Sequence, residues 1–110
     1  MSNYEPSKHV MTFNIAGFQH HDGATVLCDL RAGMPLTLDP ERDNPYDPNA
    51  MAIRYNGTML GYVPKAENEL LSTMFYYGHA DAFEARVLMV DERAKPWEQV
   101  LVGVYITDAR

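Results

Sequence analysis

Residues 39–50 read Asp-Pro-Glu-Arg-Asp-Asn-Pro-Tyr-Asp-Pro-Asn-Ala, and the fold turns on how this stretch is read. Its three prolines, three aspartates and two asparagines leave few helical or strand conformations open. Proline fixes φ and removes a backbone donor. Asp and Asn hydrogen-bond their own backbone and favour turns. An ordinary hairpin loop has roughly two to five residues, and longer loops are usually functional or disordered. This one is more than double that length and holds a large aromatic, Tyr46, beside a carboxylate, Asp47. So much proline and Asx chemistry predicts a fixed shape: a rigid platform between two strands that presents Tyr46 and Asp47.

On the C-terminal side, Met51–Tyr55 reads as a strand. Asn56-Gly57 is a strong hairpin signal, since both residues tolerate φ > 0 in a type I′ turn. Thr58–Val63 is the return strand, and Pro64 opens a helix, where its missing N–H costs nothing. Leu70, Leu71, Met74 and Phe75 fall at helical spacing and are expected to form a core stripe. Gly78 marks the helix end. On the N-terminal side, His9–Ala16 alternates with Met11, Phe13 and Ile15 inward. A loop bracketed by Gly17 and Gly23 follows, and Ala24–Leu30 stays open between a short helix and an irregular buried segment. Met34–Leu38 is a further strand, with Pro35 confining it to a strand start or edge. Phe83–Val90 and Val100–Ile106 complete the strands, joined through the charged Asp91–Pro96 connection and Trp97. Six strands with one main helix predict a mainly β, α+β domain: a small antiparallel, partly open barrel of the oligonucleotide-binding (OB-like) type.

The 110 residues suit a single domain, expected over 9–110 after a loose tail at 1–8. No apolar run approaches the roughly 20 residues of a membrane span. The N-terminus lacks the basic and apolar regions of a secretory signal. With one cysteine, Cys28, no internal disulfide forms, and the cytoplasm is the expected compartment. The net charge of −6 argues against coating long stretches of nucleic acid, although a small pocket gripping one strand end is compatible with it. Asp39, Glu41 and Asp43 alternate like the start of a calcium loop, but Asn44 and Ala50 stand where glycine and glutamate are needed. His20-His21-Asp22 has no zinc-ligand spacing. No metal or cofactor is expected. No Ser elbow, P-loop or His-Glu-x-x-His run appears, so an enzyme is not expected.

Gly17-Phe18, Asp43-Asn44-Pro45-Tyr46-Asp47-Pro48-Asn49-Ala50 and Leu60-Gly61-Tyr62-Val63-Pro64, in that order, resemble the HIRAN domain family over roughly residues 10–106. The Asn-Pro-Tyr-Asp-x-Asn-Ala segment with its Gly-Tyr-Val-Pro return strand is the specific part. The resemblance implies a modified OB-like fold that captures the 3′ end of single-stranded DNA in repair or fork processing. It leaves room for a helicase or nuclease partner, and it looks like a stand-alone bacterial or phage copy. It implies a site built from Tyr46 and Asp47 of the loop with Asn44, His20 after the first glycine, Tyr62 and Lys65 around the helix entrance, and Trp97 before the final strand. Gln19 stands where the eukaryotic helicase version carries arginine, and His20 where it carries tyrosine. One phosphate contact thereby loses its charge and one stacking surface shrinks.

The chemistry of these residue types fits that role. Tyrosine and tryptophan stack on any base, at roughly 1–3 kcal/mol each. An ionised carboxylate accepts a hydrogen bond from a free 3′-hydroxyl and repels a 3′-phosphate. Lysine supplies a point charge for the neighbouring phosphate. Plainer readings stand beside these. Tyr46 would be a lid on the core, Asp47 an Asx-turn or cap residue, Tyr62 a rim residue, and Trp97 a ring buried beside the last strand. The competing function is a protein-interaction or inhibitor domain that keeps the fold without DNA binding. A basic rim from Arg42, Arg54 and Lys65 around Tyr46 favours DNA over that alternative.

Overall fold

The computed structural model describes residues 7–107. The tail expected at 1–8 lies outside them except for Ser7 and Lys8, which open the first strand. Six strands run β1 (Ser7–Asn14), β2 (Pro35–Pro40), β3 (Met51–Tyr55), β4 (Thr58–Tyr62), β5 (Phe83–Val90) and β6 (Val100–Thr107), with one α-helix, α1 (Lys65–Tyr76). All neighbours pair antiparallel in the order β1-β6-β5-β2-β3-β4. This is the expected α+β architecture, and the sheet is not closed.

β2 turns the corner of the sheet. Its first residues, Pro35 and Leu36, pair with β5, and Thr37–Pro40 pair with β3. Pro35 sits at the strand start, where its missing donor breaks no ladder. The two outer edges meet at one point. Ala16, just past β1, exchanges both backbone hydrogen bonds with Tyr62 at 2.8 and 2.9 Å. Gly61 makes that approach possible: a Cβ there would clash with the Ala16 carbonyl and come within 2.6 Å of Ile15 Cγ2. A register shift between Ile53 and Arg54 opposite β4 bends the strand at the same place.

The core lies inside this bent sheet. Val87, Val102, Val104, Met51, Ile53 and Leu60 are fully buried, and alternation in β1 places Phe13 inward with Ile15 just beyond it. Asn56 and Gly57 turn the β3–β4 hairpin with φ of 47° and 83°, the type I′ signature. The loop expected from Gly17 to Gly23 and the segment Ala24–Leu30, open between a short helix and an irregular stretch, form three short 3-10 turns (Phe18–His20, Asp22–Thr25, Leu27–Asp29), and Phe18 and Leu30 plug the core.

Pro64 occupies the residue before α1. At the other end Gly78 N–H bonds to the Phe75 carbonyl and His79 N–H to that of Met74, the Schellman pattern. Of the core stripe expected on this helix, Leu70 and Met74 fall outside the core cluster. Leu71 is fully buried and Phe75 packs on the core, but Leu70 is 60% exposed. Consecutive helical residues point about 100° apart, and with Leu71 and Ser72 together filling the inward face, Leu70 on the other side of Leu71 is left outside it. The buried face is completed by two polar residues, Asn68 and Ser72.

Candidate nucleic-acid interface

Asp39 and Pro40 extend β2 beyond the expected strand, and residues 41–50 form the ordered platform that the composition predicts. Glu41 N–H bonds to the Ala50 carbonyl at 2.8 Å, closing the loop at its base. Asn44 organises its tip: Oδ1 accepts the N–H groups of Tyr46 at 2.9 Å and Asp47 at 3.1 Å. Asp47 Oδ1 accepts the Asn49 N–H at 2.9 Å. These Asx contacts replace a ladder with side-chain acceptors. The same loop is tied to two other elements. Asp47 Oδ2 accepts Asn68 Nδ2 of α1 at 2.8 Å, and Tyr62 of β4 donates its hydroxyl to Glu41 Oε1 at 2.7 Å. Asn44 Nδ2 donates to the same Glu41 oxygen at 3.2 Å.

Between loop, β4 and helix start lies a cavity of about 330 Å³. Asn44, Tyr46, Asp47, Tyr62, Lys65 and Asn68 supply its polar and aromatic lining, and Ala16, Ala50 and Val63 its apolar floor. Five of the sequence-derived site residues, Asn44, Tyr46, Asp47, Tyr62 and Lys65, are thus brought together. Tyr46 is 90% exposed, so it is no lid on the core. Asp47 does form the Asx turn of the plainer reading, while facing the cavity as well.

Three expected residues fall elsewhere. Gln19 and His20 are exposed on the Phe18–His20 turn, outside the cavity lining. His21 is the neighbour that meets Tyr62, edge-on at 5.6 Å between centroids. Trp97, on the Pro96–Glu98 turn, lies on the element packed against the Phe18–His20 turn. It is half exposed, contrary to the reading of a ring buried beside the last strand, and the Lys95 ammonium stands 5.7 Å from its centroid. A 3-10 turn projects it off the strand, so the alternation that buries Val100 and Val102 does not extend to it.

The electrostatics are local. The Asn49 N–H and then the Asn68 amide hold the Asp47 carboxyl below its ordinary pKa; burial opposes them, and the Lys65 charge adds a smaller lowering. The Tyr62 phenol is pushed up, chiefly because it donates to Glu41, and burial adds to this. Of the basic rim expected from Arg42, Arg54 and Lys65, only Lys65 lines the cavity. Arg54 pairs with Asp39 at 3.5 Å, and Arg42 lies beyond the loop against α1. Lys65 is the first helical residue, where a cation opposes the helix dipole, so the helix gains no stability from its charge. Among the described residues no carboxylate lies within salt-bridge distance of Lys65. Among them, too, no cluster of side chains suits a metal ion, and no helix is long and apolar enough to cross a membrane. A larger depression, about 730 Å³ around Cys28, Arg31, Met89 and Glu92, presents no aromatic ring for stacking.

Four cavity residues, Ala16, Ala50, Val63 and Asn68, are not among the site residues that sequence reading names, although Ala50 and Val63 belong to the motifs that it quotes. Asn68 carried a faint signal, as a polar residue one turn before Ser72 on the face that Leu71 buries. Ala16 carried none, because its place depends on the bridge to Tyr62.

Comparison with known proteins agrees with this architecture. A protein from Lactobacillus plantarum, known from its crystal structure, is similar in fold at 23% identity, with a TM-score of 0.76, over 91% of this chain and 94% of that one. The HIRAN domain of human HLTF is similar at 17% identity, with a TM-score of 0.68, over 94% of this chain and 82% of that one. A search of curated proteins finds no match to the chain. No enzyme family is indicated, and the family match supports a nucleic-acid-binding module as the general class. The HIRAN domain model matches residues 8–107, nearly the whole length described above, and the chain belongs to the HIRAN domain family.

Proposed function

We propose that the cavity captures the 3′-hydroxyl end of a single DNA strand, and that the domain serves repair or fork processing beside a helicase or nuclease that acts on the captured end. One observation carries this reading: an ionised carboxylate and a lysine that has no salt-bridge partner among the described residues share a small cavity under an exposed aromatic ring. At about 330 Å³ the cavity lies at the low end of small-ligand sites, roughly 300–1,000 Å³, which suits a terminal sugar or base. Each Asp47 oxygen accepts one protein hydrogen bond, and each retains a lone pair for a hydroxyl donor. Lys65 meets the phosphate one step back, and Tyr46 stacks on a base. Gln19, His20 and Trp97 form a second group outside the cavity, available to the exposed side of the terminal nucleotide rather than to its hydroxyl.

An NMR titration with a short strand ending in a 3′-hydroxyl tests this reading. Amide shifts should concentrate at Tyr46, Asp47, Asn49 and Lys65. Shifts confined to the outer face of β5 and β6, or none at low salt, contradict it, and the second outcome passes the surface to a protein partner.

A further inference from the structure

A second aromatic surface lies on the far side of the platform loop. The Arg42 guanidinium stands 4.4 Å from the centroid of the Tyr76 ring and donates through Nη2 to the Ser72 carbonyl at 3.2 Å. Tyr77 meets Tyr76 edge-on, with centroids 5.0 Å apart at 87°. The two tyrosines are 63% and 69% exposed. With Pro48, Asn49 and Thr73 these side chains line a depression of about 290 Å³.

This depression shares its walls with the end cavity. Along the loop, Asp47 and Ala50 line the first, and Pro48 and Asn49 between them line the second. Along α1, Lys65 and Asn68 line the first, and Ser72 and Tyr76 the second. Asn68, Ser72 and Tyr76 follow one i, i+4 row, which places Tyr76 about 12 Å along the helix from Asn68. That is within reach of the next nucleotides of a strand whose end is held at Asp47. Among the described residues no carboxylate lies within salt-bridge distance of Arg42.

We propose that Arg42, Tyr76 and Tyr77 form a second stacking site, which takes a base of the same single strand two nucleotides 5′ of the captured end, just beyond the reach of a dinucleotide. The proposal rests on the end-capture reading for its register. A guanidinium laid on a tyrosine face offers a flat, delocalised cation, and a perpendicular ring beside it makes a corner into which a planar base fits. Stacking of this kind is tolerant of sequence. The negative end of the α1 dipole lies here, so the base rather than its phosphate faces Tyr77. Arg42 has further N–H groups besides the one bonded to Ser72, and these meet the phosphate.

The test compares a dinucleotide with a hexanucleotide, both ending in a 3′-hydroxyl, on the wild-type chain and on the Tyr76→Ala/Tyr77→Ala variant. The hexanucleotide should bind the wild type about tenfold more tightly than the dinucleotide. The variant should lose that gain and bind the dinucleotide unchanged. If the double variant unfolds, Tyr77→Ala alone, beyond the last helical turn, serves in its place. No length gain in the wild type, or a gain that survives the variants, overturns the proposal and assigns the surface to a protein partner. If the dinucleotide fails to bind while the hexanucleotide binds and the variant abolishes it, end capture falls and the stacking site stands. If neither strand binds the wild type, both fall.

Discussion

Asn68 Nδ2 donates to Asp47 Oδ2 at 2.8 Å, joining α1 to the tip of the platform loop across 21 residues of sequence. Asn68 is 3% exposed, so this amide is a buried strut, whereas the carboxylate it holds is open to the cavity. The carboxylate that opens to the cavity is thereby oriented by an amide in the cavity wall.

Replacing the strut separates the two roles. Asn68→Ala removes a buried hydrogen bond to a charged group and leaves a small void, a loss on the order of 1–3 kcal/mol. For a domain of about this size each kcal/mol shifts Tm by roughly 4–8 °C, so thermal unfolding should register a clear drop. Strand binding should weaken as well, because Asp47 loses its orientation. A variant as stable as the wild type would mean that the loop holds its shape without α1.

The carboxylate carries a pH signature. Asp47 has a folded-state pKa below its unfolded one. Its contacts therefore add stability in full above about pH 3.9, the ordinary aspartate value, and the contribution disappears as pH falls through the folded-state pKa. The wild type should be more stable than Asp47→Asn at neutral pH, and the difference should shrink only in strong acid. A difference that instead grows on acidification would contradict the assignment of cause to the Asn49 and Asn68 hydrogen bonds.

Much of this architecture is legible in the sequence because the deciding signals are local. Asn56-Gly57, Pro64 and Gly78 each specify a backbone geometry by themselves, and the alternation of Phe13 and Ile15 reports a buried face directly. The platform is legible for the same reason: proline and Asx residues fix its shape within a dozen positions. What escapes is non-local. The approach of Ala16 to Tyr62 spans most of two hairpins, and Asn68 is polar in a helix whose apolar stripe draws attention to Leu70, the residue that turns outward. The choice of His20 over His21 depends on how a 3-10 turn rotates neighbouring side chains, which spacing alone does not reveal.

Gly61 is the backbone counterpart of the Asn68 strut. Gly61→Ala would drive a methyl into the Ala16 carbonyl and Ile15. The expected loss is roughly 1–3 kcal/mol, the usual cost of overpacking. Amide hydrogen exchange at Ala16 and Tyr62, which hold the two sheet edges together, should accelerate more than in the β5–β6 ladder. Uniform acceleration would show that the bridge is not a separate weak point.

Salt dependence follows from the sparse basic rim. Each phosphate neutralised on a single strand contributes a slope of about −0.7 in log K against log salt. Lys65 lines the cavity, Arg42 stands beyond the loop and Arg54 is paired with Asp39. A slope on the order of −1 to −2 is expected, with Lys65→Ala making it shallower by nearly one unit and Tyr46→Ala weakening binding at unchanged slope. A slope steeper than about −4 would indicate an extended basic track that this surface does not present.

The central claim is that Asp47 reads a free 3′-hydroxyl, and fluorescence anisotropy with strands of one sequence differing only in their 3′ group tests it most directly. Strands ending in a hydroxyl should bind more tightly than those ending in a phosphate or a blocked carbon. Asp47→Ala should level the three by weakening the hydroxyl-ended strand. Equal affinities of the wild type for all three ends would contradict the account.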